Sequence, residues 1–186
     1  ACAEWIADSV TRAIEGRGRC AIALAGGSSP RPVYAALSVP SWWAAIDWLH
    51  VHVYFGDERA VPPDDPESNY RMACDTLLCR VPIPHGQVHR MEAERADVDA
   101  AAADYERQLP PVLDVLLLGV GPDGHTASLF PGSPALLERQ RRVVPVIGPQ
   151  PPPGRLTITP PVIEAARAIA VIATGAEKAA MVARAL

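Results

Sequence analysis

The stretch 112-VLDVLLLGV-120 reads as a central strand. It is apolar at nearly every position rather than at alternate ones. That is the pattern of a strand buried on both faces, as in a parallel sheet covered by helices. Similar runs recur at 20-CAIALA-25, 51-VHVYF-55, 142-RVVPVI-147, 155-RLTIT-159 and 168-AIAVIA-173, with Pro145 interrupting the 142–147 run. Helical patterns separate them. An apolar stripe of Ala3, Ile6, Ala7, Val10, Ala13 and Ile14 predicts a helix over 3–15, and another begins near Pro30. A long polar loop is expected from Gly56 to about Asp65, where Asp65 caps a helix with Pro66 in its first turn that runs to Leu78. Further helices are expected over 97–109, from about Pro160 and from Ala176. Strands alternating with helices predict an α/β fold with a mostly parallel sheet.

Composition bounds the function. The chain has 186 residues, enough for one domain that buries a core without disulfides or a metal. Apolar residues make up 49% and charged residues 20%, an ordinary globular balance. A net charge of −4 argues against a broad nucleic-acid face. No run reaches the roughly 18 to 20 apolar residues of a membrane helix. No signal peptide is visible, although Ala1 is not an initiator Met. Cys2, Cys20, Cys74 and Cys79 form no CxxC pair and are expected to be buried free thiols in a reducing cytoplasm. The 20 prolines gather in loop-like clusters, 60-AVPPDDP-66 and 148-GPQPPPG-154.

The polar signals lie where strands end and helices begin, the edge at which open α/β sheets bind ligands. In 25-AGGSSPRP-32, Gly26 and Gly27 let backbone N–H groups approach a ligand, and Ser28 and Ser29 add hydroxyls. The helix start favours an anion such as phosphate, although a plain tight turn fits the same residues. In 174-TGAEKA-179, Lys178 sits in a first helical turn, against the helix dipole, which a bound anion would offset. Asp57, Glu58 and Arg59 stand at a third strand end, as an acid/base set or a salt-bridged loop, and Arg155 is a further candidate anion ligand.

The stretch 119-GVGPDGHTASLFPG-132 contains GxGxxG after a strand, but Pro131-Gly132 forbids the long helix a dinucleotide site needs, and no ribose-binding acid follows the next strand. His125 on this glycine-rich loop is instead the candidate proton acceptor, because imidazole exchanges a proton near neutral pH and loop N–H groups can stabilise an oxyanion. Asp57 or Asp123 would orient it. No third ligand accompanies His50 and His52, so no metal site is expected. His85 and His89 read as surface residues, and Trp42, Trp43 and Trp48 as cover for the core edge.

These residues resemble a known family. The stretches 23-ALAGGSSPRPVYAAL-37, 54-YFGDERAVPPDDPESNYRMA-73, 115-VLLLGVGPDGHTASLFPG-132, 155-RLTITPPVI-163 and 174-TGAEKA-179 are similar, in order, to bacterial 6-phosphogluconolactonases. The resemblance implies a three-layer αβα sandwich of the sugar-phosphate isomerase/deaminase type. It implies hydrolysis of 6-phosphoglucono-1,5-lactone in the pentose phosphate pathway by a cytoplasmic enzyme, with neither metal nor organic cofactor and a phosphosugar lactone as the only implied partner. Oligomeric state is not written in the sequence, and a monomer is the default expectation. The family's general base falls on His125, its arginine on Arg59, and its phosphate ligands on Gly26, Gly27, Ser28, Arg155 and Lys178. Two alternatives stand beside it, a glucosamine-6-phosphate deaminase and a non-catalytic sugar-phosphate-binding protein. The deaminase loop carries a glutamate where this chain has Phe130. Relative to the family, a strand before residue 3, part of the connection at 107–116 and the elements after Leu186 are expected to be missing.

Overall fold

In the computed structural model, which describes residues 1–185, every apolar run singled out above is a strand of one of two sheets. Helix α1 (Cys2–Arg17) leads into β1 (Cys20–Leu24), followed by α2 (Arg31–Leu37), the one-turn α3 (Pro40–Trp43), β2 (Val51–Phe55) and β3 (Asp57–Arg59). Then come α4 (Asn69–Thr76), α5 (Val98–Gln108), β4 (Val115–Gly119), β5 (Val143–Ile147), β6 (Gly154–Ile158), α6 (Pro160–Ala165), β7 (Ile169–Ile172) and α7 (Ala179–Ala185). The parallel sheet has the order β2-β1-β4-β7, and a separate antiparallel sheet has the order β3-β6-β5.

The period of two along each central strand divides the interior into two cores. Cys20, Ile22, Leu24, Val115 and Leu117 face α1, α2 and α4, whereas Ala21, Ala23, Leu116 and Leu118 face α5, α6 and the antiparallel sheet. Both faces are buried, which is why the runs are continuously apolar, and the result is a three-layer α/β sandwich. Each fully buried leucine, such as Leu116 or Leu117, contributes about 1.5–3 kcal/mol relative to an exposed one. Pro145 is tolerated because β5 is an edge strand of the smaller sheet.

Several expectations are corrected. The loop after Gly56 contains β3, whose charged residues carry no apolar signal but pair in register with β6, Asp57 with Thr157 and Arg59 with Arg155. Asp65 does not cap α4. Its Oδ1 accepts from the Glu67 amide at 2.8 Å in a local turn, and Ser68 caps the helix by accepting from the Arg71 amide at 3.1 Å. The last helix begins with a 3-10 turn over Ala176–Lys178. All four cysteines are free, but only Cys20 is buried, and Cys79 is exposed. The C-terminal ends of β1 and β2 are each held by a wholly buried tyrosine from a helix. Tyr34 of α2 exchanges two 2.9 Å hydrogen bonds with the Ala25 backbone, and Tyr105 of α5 accepts from the Phe55 amide at 2.7 Å and donates to its carbonyl at 3.1 Å.

His89 is not a simple surface residue. It stacks on Tyr54 with centroids 4.5 Å apart, and its Nε2 lies 3.1 Å from His52 Nδ1. Burial holds both imidazoles below their ordinary value, helped by Arg19 at His52 and by His52 itself at His89. The unfolded chain therefore takes up protons first as pH falls below about 6.5, and stability is lost through that window. Melting temperatures at pH 7.5 and 5.5 should fall more steeply for the wild type than for His52→Gln; equal slopes would remove the pair from the account.

Candidate active site

Four strand ends converge on one cleft of about 170 Å³, lined by Gly26–Pro30 after β1, Gly56, Asp57 and Arg59 after β2, Gly119–Pro122 and His125 after β4, and Lys178 beyond β7. Arg155 reaches it from β6, and Asn69 from the start of α4. The tyrosine clamps fix the strand ends immediately before Gly26 and Gly56. Gly56 joins the sheets, donating to the Leu24 carbonyl at 3.0 Å and accepting from the Ile158 amide at 2.9 Å.

The histidine loop shows what the base would be. His125 Nδ1 lies 2.5 Å from Asp123 Oδ1, which also accepts from the His125 amide at 3.2 Å. Burial pushes the Asp123 carboxyl up, but the hydrogen bonds from His125 outweigh it and hold the group below the usual carboxylate range. An ionised carboxylate only accepts, so the ring proton sits on Nδ1 and Nε2 is the proton acceptor. Gly121 is required by close approach. A Cβ there would lie 2.1 Å from His125 Nδ1.

Positive charge lines the same cleft as His125. Arg155 is only 8% exposed, its Nε has no hydrogen-bond partner among the described residues, and its guanidinium lies 5.7 Å from the Phe130 ring centroid. Burial and then the neighbouring Arg59 push its pKa down, while Asp57 pulls it up. It remains a cation, since guanidinium is not deprotonated in proteins. Arg59 donates to the Glu67 carbonyl at 2.5 Å, and among the described residues its Nε is also without a partner. Ser28 is exposed beside Gly27, whereas Ser29 is buried and accepts from the Thr174 amide at 3.3 Å and hydroxyl at 3.0 Å, tying the glycine turn to the turn that carries Lys178.

The structure therefore brings Gly26, Gly27, Ser28, Arg59, His125, Arg155 and Lys178 to one cleft, with Asp123 behind the histidine. Asp57 does not orient His125. Its Oδ1 accepts from Asn69 Nδ2 at 3.1 Å and its Oδ2 from the Ser128 hydroxyl at 2.7 Å. Glu58 points away from the cleft and binds the start of α4. His52 faces His89 and His50 pairs with Asp47 at 2.8 Å. Among the described residues no group of three or more His, Cys, Asp or Glu is placed to hold a metal ion.

The sequence profile of the family described as glucosamine-6-phosphate isomerases/6-phosphogluconolactonase matches residues 1–186. The chain belongs to this family. A 6-phosphogluconolactonase of Streptomyces coelicolor is 43% identical over 186 residues, covering 91% of this chain and 71% of the relative. The Mycobacterium tuberculosis 6-phosphogluconolactonase is 42% identical over 192 residues, with 96% and 77% covered. A chloroplastic relative from Oryza sativa subsp. indica is 39% identical over 201 residues, and the match takes in 99% of this chain but 61% of the relative's length. Among solved structures, a 6-phosphogluconolactonase from Trypanosoma brucei superposes with a TM-score of 0.86 at 34% identity, covering 97% of this chain and 79% of that one. A monomeric glucosamine-6-phosphate deaminase shares the fold, with a TM-score of 0.83 at 20% identity, 98% of this chain and 80% of that chain being covered.

Two residues of this family member escape a reading of its sequence. Asn69 packs so closely on Gly26 that a Cβ there would meet Asn69 Oδ1 at 2.0 Å, and its amide also donates to the Asp57 carbonyl at 2.9 Å. Ser128 is fully buried behind the histidine loop. Both are small polar residues outside any periodic pattern. Only the clustering of polar residues in 68-SNY-70 and 125-HTAS-128 hints at them.

Proposed function

We propose that the chain hydrolyses 6-phospho-D-glucono-1,5-lactone to 6-phospho-D-gluconate, the lactonase step of the oxidative pentose phosphate pathway. The observation that carries this reading is the His125–Asp123 pair at 2.5 Å, sharing a small cleft with a buried guanidinium whose Nε has no partner among the described residues. The phosphate docks on the Gly26–Ser28 backbone, with Lys178 and Arg155 as counter-charges. His125 Nε2 removes a proton from water, whose oxygen attacks C1 of the lactone. The tetrahedral oxyanion is held by loop N–H groups or by Arg59. On collapse the C1–O5 bond breaks, and the ring oxygen takes the proton back from the imidazolium. The new carboxylic acid then ionises. Asp123 stabilises the transient imidazolium and keeps the ring in its tautomer. The reaction needs water activated once and no metal or organic cofactor.

Phe130 supports hydrolysis over deamination. Its ring lies 4.6 Å from the His125 ring, so the position beside the base is apolar rather than a second carboxylate. The free cysteines suit a reducing compartment, and we place the enzyme in the cytoplasm. Among the described residues no helix is long and apolar enough to cross a membrane.

The test generates the lactone in situ from glucose 6-phosphate and follows its loss against spontaneous hydrolysis. Acceleration by the protein, with no ammonia released from glucosamine 6-phosphate, is the expected result. Ammonia release would assign it to the deaminases. A thermal shift with 6-phosphogluconate but no turnover would make it a binding protein.

A further inference from the structure

We infer that Ser128 is a positioning residue that sets where the His125 loop stands relative to the anion cradle. This rests on the hydrolytic reading of the cleft. The loop turns sharply just before Ser128. Ala127 adopts φ 49°, a left-handed conformation uncommon for a residue with a Cβ. The turn leaves His125 and Ala127 lining the cleft, while Ser128 is 0% exposed.

Inside, Ser128 is held at two points. Its hydroxyl donates to Asp57 Oδ2 at 2.7 Å, and its amide donates to Thr157 Oγ1 at 3.1 Å. Asp57 and Thr157 are themselves paired across β3 and β6, so the loop is pinned to the antiparallel sheet that presents Arg59 and Arg155. The other Asp57 oxygen accepts from Asn69, the residue against which Gly26 packs. One buried carboxylate thus joins the histidine loop to the glycine turn, through a charge-assisted bond on each side. No other part of the proposed chemistry uses Ser128, and a hydroxyl buried only for packing has no need of a carboxylate partner.

The hydroxyl is on the chain of contacts to the base, not to the phosphate. Asn69 also holds the Asp57 main-chain carbonyl at 2.9 Å, so the cradle keeps an anchor when Ser128 is changed. Ser128→Ala should therefore lower kcat by about 10- to 100-fold, the scale of a sub-ångström to ångström misplacement of a catalytic group. KM should stay within about twofold. A merely structural role would instead lower the melting temperature and leave kcat per folded molecule unchanged.

The experiment measures kcat, KM and melting temperature for the wild type, Ser128→Ala and Ser128→Cys, together with the low-field proton resonance of the His125–Asp123 hydrogen bond. The expected result is a loss in kcat with KM retained, a broadened or absent low-field resonance in Ser128→Ala, and intermediate values in Ser128→Cys, which keeps a weak donor in nearly the same volume. Ser128→Cys carries the test if the alanine variant does not fold. Wild-type kcat and an unchanged resonance in a folded variant would overturn the proposal, as would kcat and KM changing together. If the wild type turns over no lactone, the hydrolytic reading fails. The resonance then still decides whether Ser128 positions His125.

Discussion

His125→Ala is expected to lower kcat by about 10²- to 10⁴-fold, the range for loss of the proposed general base, and to leave KM close to the wild-type value. The split follows from the geometry. The groups that would hold the phosphate, at Gly26–Ser28, Arg155 and Lys178, come from other strand ends and do not depend on the imidazole. Gly121→Ala reaches the same endpoint without touching the histidine. The added methyl would fall 2.1 Å from Nδ1 and 2.2 Å from Cε1, so the ring must leave its place and its Asp123 partner. We expect a loss in kcat of the same order, with the chain still folded because the residue is in a loop. Steady-state kinetics on lactone made in situ, with circular dichroism as a folding control, measure both variants. A His125→Ala enzyme with near-wild-type kcat would remove the base from this mechanism, and an active Gly121→Ala enzyme would show that the ring need not sit where it does.

How much of this was visible beforehand depends on the kind of signal. The parallel sheet was, because burial on both faces demands continuous apolar runs, and Val115 to Leu118 supply one without interruption. The location of the site was visible too, because glycines and polar residues clustered at the strand ends where α/β sheets bind ligands. Strand β3 was not. Asp57, Glu58 and Arg59 look like a solvated turn, and only pairing with β6 makes them a strand whose alternation sends Asp57 and Arg59 toward the cleft and Glu58 away from it. The choice of carboxylate behind His125 was likewise out of reach. Asp123 is two residues away and Asp57 is 68 positions back in the chain, so the decision turns on Asn69 and Ser128 having already engaged Asp57. The start of α4 is hidden for the same reason. Asp65 and Pro66 carry the local helix-start signal, but the acceptor that satisfies the first amides of the helix comes from another element.

That acceptor is Glu58, and replacing it gives the largest expected loss of stability. The residue is 3% exposed. Its Oε1 accepts from the Arg59 amide at 2.8 Å and the Asn69 amide at 2.7 Å, and its Oε2 from the Tyr70 amide at 2.8 Å and the Ser68 hydroxyl at 3.0 Å. Burial raises the carboxyl above its usual pKa, and the four donors pull it back part of the way. Two of these donors are first-turn amides of α4 that no residue within the helix can satisfy. Glu58→Ala leaves them facing a buried void, at about 1–3 kcal/mol for each lost partner. A total of about 4 kcal/mol is expected, which for a chain of this size lowers the melting temperature by about 8–16 °C. Glu58→Gln keeps the shape, yet its NH₂ must face at least one N–H whichever way the amide is turned. Ser68 can rotate its hydroxyl to accept, but the Tyr70 amide cannot, so about half the loss is expected. Because Asn69 begins α4 and packs on Gly26, both variants should also weaken binding of 6-phosphogluconate. Thermal unfolding of the three proteins, followed by product titration below the lowest melting point, tests the ranking. Equal stability of Glu58→Gln and the wild type would mean that the four donors do not require a carboxylate.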